Sequence, residues 1–355
     1  MSRHRLLATA VAALVVAAAA VGCGDGGRGP SSRGGGTVTL LTHDSFAASK
    51  DVLADFTART GYRVELLQPG DAGVVVNEAI LRRGRPVADA LYGVDNTFLT
   101  RALAADLFAA GTAPDPDLAP GTPTDPQRRV VAVDRGDVCV VYDRTWFGHD
   151  GRPPAPRSFA DLADPRYRGL TVVEDAAASS PGFAFLLATI AEYGPDGWED
   201  YWRSLRTNDV RVVEGWTQAY LQDFTAGGGP GDRPIVVSYG SSPPADVVGA
   251  VPPRSESRVG VVEPTCFRQH EFAGVLAGAD DPEAARALVA FLVSRRFQED
   301  LPLQMYVSPV VAGARVPPVF ARWAVVPAEP LRLADAEIDA GRDEWIRRWT
   351  DLVVR

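Results

Sequence analysis

Short β-branched apolar runs alternate along most of this chain with stretches of helical spacing, and polar turns separate the two. Thr37 to Leu41 reads as a strand, followed by the turn Thr42-His43-Asp44-Ser45 and a helical pattern from about 46 to 59 that stops at Gly61. Arg63 to Leu67 is a second strand, the loop Gly70-Asp71-Ala72-Gly73 follows, and 74 to 83 reads as helix. Ala88 to Gly93 is a third strand, with a helix over about 97 to 104. Such alternation predicts a parallel sheet with crossover helices, and in such sheets ligands sit beyond the C-terminal ends of the strands. His43, Asp44, Asp71, Asp95 and Asn96 all fall just after strands, which places them around one cleft.

A Pro-, Asp- and Thr-rich loop from 113 to 127 precedes a long strand-like run, Val130 to Tyr142. A second α/β set then predicts strands at 170–174, 210–213 and 235–239 and helices at 183–193, 198–206 and 217–225. Arg258 to Val262 and Phe267 to Leu276 return to strand character. Asp281 to Phe297 reads as one amphipathic helix, and 334 to 354 as a docking helix with Trp345 and Trp349 four apart. Two α/β units joined by strand crossings have the shape of a hinged, two-lobed ligand trap. The expected division is 37–135 plus 268–355 for lobe 1 with the C-terminal helices, and 136–267 for lobe 2.

Ahead of this pattern, residues 1–22 have a basic start and an apolar run ending in small residues, the composition of a secretory signal peptide. Cys23 ends a lipobox-like Ala20-Val21-Gly22-Cys23 and is the expected lipidation site; 23–36 is then a Gly/Ser-rich tether. The expected location is the outer face of the cell membrane, anchored through lipid. Export also makes a disulfide possible between the two other cysteines, Cys139 and Cys266; two buried free thiols are the alternative. Net charge is −9 over 355 residues, unfavourable for nucleic acid, which attracts basic surfaces. The four His are scattered and no metal motif occurs, so neither metal nor cofactor is expected.

Several motifs in order carry a resemblance through nearly all of residues 37–355: Thr42-His43-Asp44-Ser45-Phe46, Gly93-Val94-Asp95-Asn96, Ser179-Ser180-Pro181-Gly182, Gly215-Trp216-Thr217-Gln218-Ala219-Tyr220 and Val237-Ser238-Tyr239-Gly240-Ser241-Ser242-Pro243. The chain resembles the thiamine-binding proteins that feed ABC importers. The resemblance implies an α/β, type II periplasmic-binding-protein fold with two hinge strands and a ligand cleft between lobes. It implies thiamine or a thiamine phosphate as ligand, a permease as partner, a monomer, and no catalysis.

Thiamine carries a fixed thiazolium charge without N–H donors, which aromatic faces accommodate. The resemblance puts Trp216 and Tyr239 on the ligand, with Tyr306 in the place of a further family Trp; core packing is the alternative for each. It also puts Asp71 and its neighbour Ala72 there, with the turns Ser179-Ser180 and Gly240-Ser241-Ser242. Ser180 reads equally as a helix N-cap with Pro181 behind it, and Asp44 and Asp95 as N-caps of the helices that follow them. His43 stands where the family has an aromatic, and Ala245 where it has a Tyr. The rival readings are a thiamine-degrading enzyme of this fold using Cys139 as nucleophile, or a receptor for a polyamine or ferric ion. Iron receptors of the fold use adjacent tyrosines, and no Tyr-Tyr pair occurs here.

Overall fold

The computed structural model describes residues 35–149 and 151–355. The expected signal segment, Cys23 and all but the last two tether residues lie outside these, and the described part forms one compact unit. Gly36 already belongs to the fold, since its carbonyl accepts a hydrogen bond from Arg63 N (2.9 Å).

The elements run β1 (Thr37–Leu41), α1 (Lys50–Thr60), β2 (Arg63–Leu67), α2 (Ala72–Leu81), β3 (Ala90–Asp95), α3 (Leu99–Ala104), β4 (Val131–Asp143), α4 (Phe159–Ala163), β5 (Thr171–Glu174), α5 (Ser180–Thr207), β6 (Arg211–Val213), α6 (Trp216–Gln218), β7 (Ile235–Tyr239), α7 (Ser242–Gly249), β8 (Val259–Val275), α8 (Pro282–Leu292), α9 (Arg295–Gln298), α10 (Leu301–Gln304), β9 (Ser308–Pro309), α11 (Pro318–Trp323) and α12 (Asp335–Trp349). The strands form one sheet in the order β2-β1-β3-β8-β4-β7-β5-β6, with β9 on β4. It is mixed rather than parallel throughout. β1 pairs parallel with β2 and β3, and β5 with β6 and β7, as the alternating pattern predicts. Between these two blocks the long strands β4 and β8 run antiparallel to each other and to their neighbours. Both have apolar residues on both faces, because helices cover the sheet on each side.

The crossing is irregular where the sequence breaks. The register jumps from Val138↔Phe267 to Val140↔Val262, so Glu263-Pro264-Thr265-Cys266 bulges out. Pro264 has no N–H to give the ladder. Thr265 repairs it, its Oγ1 accepting from Val140 N (2.9 Å). Cys139 and Cys266, both fully buried, are joined there by a disulfide with Cα atoms 4.1 Å apart.

Other boundaries shift for local reasons. α5 breaks at Gly194, whose φ of 71° precedes Pro195; this separates the two helices expected at 183–193 and 198–206. The expected helix at 281–297 is interrupted at Val293, and Ser294 caps a new turn through Phe297 N (3.4 Å). α12, expected with lobe 1, spans both blocks. Trp349 packs edge-on against Trp202 of α5 (5.4 Å), and Arg348 Nε bonds Glu199 (2.5 Å). On its other side Arg342, buried, donates to Thr97 O (2.8 Å) and lies over the rings of Phe98 (3.9 Å) and Phe183 (4.7 Å). Among the described residues no helix is long and apolar enough to cross a membrane.

Candidate functional site

A cavity of about 320 Å³ lies where the two blocks face each other, within the size range of small-molecule sites. The turn after β1 brings His43, Asp44 and Ser45, and the turn after β2 brings Asp71 and Ala72. From the second block come Ser180 at the start of α5, Trp216 after β6, Tyr239 at the end of β7, and Ser241 and Ser242 at α7. β8 supplies Glu271, and the turn after α10 supplies Met305 and Tyr306. Tyr306 holds a left-handed φ of 55°.

Asp71 connects the blocks. As N-cap of α2 its Oδ1 accepts from Ala72 N (2.6 Å), and the same oxygen accepts from Ser180 N (3.1 Å). Oδ2 accepts from Ser179 Oγ (2.9 Å) and Trp216 N (3.0 Å). These four donors match the carboxylate's four acceptor sites. Burial pushes the carboxyl above its ordinary range and outweighs the donors, which pull the other way. The residue expected to pair with a ligand is therefore already saturated by the chain.

The aromatic wall is a stack. Trp216 lies on Tyr220 with centroids 5.1 Å apart and planes 11° apart, and Tyr239 meets the indole edge-on at 6.5 Å. Trp216 Nε1 donates to Ser238 Oγ (2.9 Å), which is 3.0 Å from Ser242 Oγ. The indole is thereby fixed in plane and position while remaining half-buried at the cavity.

Opposite lies an acidic cluster. His43 Nδ1 is 2.8 Å from Ser45 Oγ, and Nε2 is 3.4 Å from Glu271 Oε1. Burial alone would lower the imidazole's pKa, but Glu271, with Asp71 and Asp44, raises it above the ordinary value. Glu271 is also buried; His43 and the donors Asp134 and Tyr92 overcome burial and hold its carboxyl below the ordinary range. Tyr92 OH donates to Asp134 and lies 3.3 Å from Glu271 Oε2. Burial, and then Glu271, push the Asp134 carboxyl well above its ordinary value. The His43 ring fits only because residue 93 is glycine: φ is 98°, and a Cβ there would come 2.4 Å from His43 Cδ2.

Most sequence-predicted residues meet at this cavity, with corrections. Ser179, not Ser180, is the N-cap of α5, accepting from Gly182 N (3.4 Å); it sits behind Asp71, outside the wall. Gly240 also lies outside the wall: its N donates to Asp137 O (2.8 Å), and a Cβ would come 2.4 Å from Val325 O. Asp44 caps no helix, since α1 starts at Lys50 behind Ser49. Asp95 caps its turn through Thr97 N (2.7 Å) and also accepts from Gln269 Nε2 (2.5 Å). Cys139 is absent from the wall and its thiol is consumed in the disulfide. Sequence reasoning missed Glu271 and Tyr220. A charged residue in an otherwise buried strand signals the first, and i, i+4 spacing from Trp216 the second. Among the described residues no group of three or more His, Cys, Asp or Glu is placed to hold a metal ion.

Comparison with known proteins gives a family match and three similar proteins. Residues 85–324, more than half of the chain, match the family described as bacterial extracellular solute-binding protein. The thiamine-binding periplasmic protein of Escherichia coli K12 is 28% identical over 323 residues, covering 90% of this chain and 94% of its own. A solved periplasmic thiamin binding protein superposes with a TM-score of 0.78 at 27% identity, over 90% of this chain and 96% of its own. A periplasmic binding protein from Actinobacillus pleuropneumoniae holding fructose-6-phosphate gives 0.74 at 17% identity, over 90% and 98%, a likeness of fold.

Proposed function

Because the chain belongs to the bacterial extracellular solute-binding proteins, we propose that it is an exported receptor that captures thiamine and delivers it to an ABC importer. The fold is the two-lobed type II periplasmic-binding-protein fold, and the protein binds rather than converts its ligand. The observation that carries the ligand is the pairing of an aromatic stack, Trp216 with Tyr220 and Tyr239, with the carboxylates of Asp44 and Glu271 across one cavity. A flat cation without donors is held by ring faces and balanced by carboxylates. The curated relative at 28% identity and the solved neighbour at 27% are both named for thiamine.

In this reading, lobe 1 is 37–135 plus 268–355, lobe 2 is 136–267, and bending of β4 and β8 opens the cleft. Asp71 closes it by joining the α2 start to Ser179, Ser180 and Trp216. His43 acts through Glu271, and Tyr306 flanks the ring stack. The protein works on the periplasmic side as a monomer, tethered through lipid on Cys23. Calorimetry decides the ligand: thiamine should bind with a stoichiometry of one, and spermidine and ferric citrate should give no heat. Binding of either competitor in place of thiamine would overturn the assignment.

A further inference from the structure

A second cavity, of about 380 Å³, lies behind the crossing strands and is bordered by the loop 121–129. Side chains alternate along a strand. Glu271 of β8 therefore lines the front cavity described above, while Arg268, His270 and Phe272 line this rear one. Arg135 and Asp137 of β4 pair with His270 and Arg268 and share their face. Arg332 joins them from a segment tied to β8 through Leu331, whose N donates to Cys266 O (2.8 Å). Two ion pairs here are complete, Arg268 with Asp137 and Arg129 with Asp125 (3.0 Å). Arg332 and Arg135 form none among the described residues, and they face only the exposed carboxylate of Asp335 at the rim. Arg135 Nε is buried with no acceptor. His270 is 8% exposed, and its ring makes no hydrogen bond among the described residues. Asn96 fixes its backbone, Oδ1 accepting from His270 N (2.9 Å) and N donating to His270 O (3.0 Å). Burial, and then Arg268, Arg135 and Arg332, lower the imidazole pKa to about 4. Near pH 7 the ring is therefore neutral, with one N–H to donate.

We propose that this rear cavity binds a small organic oxyanion, a carboxylate or phosphate monoester, with its head between Arg332, Arg268 and His270 and its apolar body on Leu99, Leu103 and Phe272. Guanidinium groups present paired N–H donors that match such heads. Arg268 spends Nε on Asp137 and Nη2 on Pro327 O (3.2 Å), which leaves Nη1 for the ligand. Asp125 does not compete, because its oxygens already take Arg129 N (2.8 Å), Nε (3.0 Å) and Nη2 (3.0 Å). An anion here relieves the repulsion among Arg135, Arg268 and Arg332, which Asp137 offsets only in part. The head alone would fill a small part of the cavity, and the rest of the wall is largely apolar, which calls for the body. The inference holds whichever ligand the front cavity takes.

The test is imidazole NMR on the full exported protein, with thiamine in excess to fill the front cavity and with phenyl phosphate and inorganic phosphate as probes. His270→Gln identifies the His270 signals by their loss. Phenyl phosphate should shift those signals saturably and bind at least about threefold more tightly than inorganic phosphate, because its ring reaches the apolar wall. Arg332 is exposed, so Arg332→Ala carries little risk to folding. It should weaken phenyl phosphate at least about fivefold. It should leave thiamine affinity within about twofold of wild type, since the two sites are separate. No saturable shift at His270, or shifts at His43 in its place, overturns the inference, since His43 belongs to the front cavity. Unchanged phenyl phosphate affinity in Arg332→Ala overturns the placement of the head. Inorganic phosphate binding as tightly as phenyl phosphate overturns the apolar body.

Discussion

Replacing Asp71 by Asn should weaken thiamine binding about thirtyfold with little change in the stability of the unliganded fold. Asn caps helices as well as Asp does, so the bond from Ala72 N can survive. The cross-cleft bonds cannot all survive. With the amide nitrogen at the Oδ2 position, it faces Trp216 N–H donor to donor, while Ser179 Oγ can rotate to accept. The opposite orientation orphans both Ala72 N and Ser180 N and is worse. One buried N–H left unpaired costs about 1–3 kcal/mol, and the surviving bonds lose their charge-assisted strength. Relief of the buried charge, which already pushes the Asp71 carboxyl up, offsets part of this. The net is about 2 kcal/mol, close to thirtyfold in affinity. In an open cleft water satisfies the same donors, so the loss falls on the closed, liganded state. Calorimetric titration with thiamine measures it, and a thermal melt without ligand is the control. A dissociation constant within about threefold of wild type would refute the cross-cleft role.

Three other perturbations probe separate features. Trp216→Ala removes the ring that lines the cavity and should weaken thiamine by well over tenfold, whereas Trp216→Phe, which loses only the bond to Ser238 and part of the ring area, should cost less; equal losses in titration would argue against the stack. His270 is held neutral by burial and then by Arg268, Arg135 and Arg332, its pKa lowered from 6.5 to about 4. A folded value below the unfolded one gives stability that is present above pH 6.5 and lost as pH falls through 4, at most about 3 kcal/mol. Urea unfolding from pH 7 to 4 should therefore show an acid-side loss that His270→Gln reduces, and identical pH profiles would contradict it. Cys139→Ser with Cys266→Ser opens a loop closed over 127 residues and should destabilise by up to about 5 kcal/mol in the chain-entropy account; a denaturant midpoint unchanged from wild type would contradict it.

The parallel blocks were legible because their strands are short, β-branched and bounded by glycine and polar turns, as at Thr37–Leu41 and Ile235–Tyr239. The antiparallel pairing of β4 and β8 was not, because the pattern within each strand says nothing about partners more than a hundred residues away. The break at Pro264 reads as a strand end, yet Thr265 carries the ladder across it. Trp216, Tyr239 and Asp71 could be singled out by residue type and position after a strand. Asp71's saturation by Ser179, Ser180 and Trp216 could not, since those donors come from a distant part of the chain. Glu271 was hidden for the same reason: its meaning comes from His43 and Asp134, which only the closed sheet brings beside it.

The two crossing strands are hydrogen-bonded to each other on both sides of the Cys139–Cys266 link. A ribbon paired in this way is stiff against sliding and splaying within its plane and compliant only to bending and twisting out of it. Opening and closing of the cleft therefore follow the out-of-plane bending and twisting of this one ribbon, and capture and release retrace the same arc. Whatever meets the receptor at the membrane has to distinguish only the two ends of that arc.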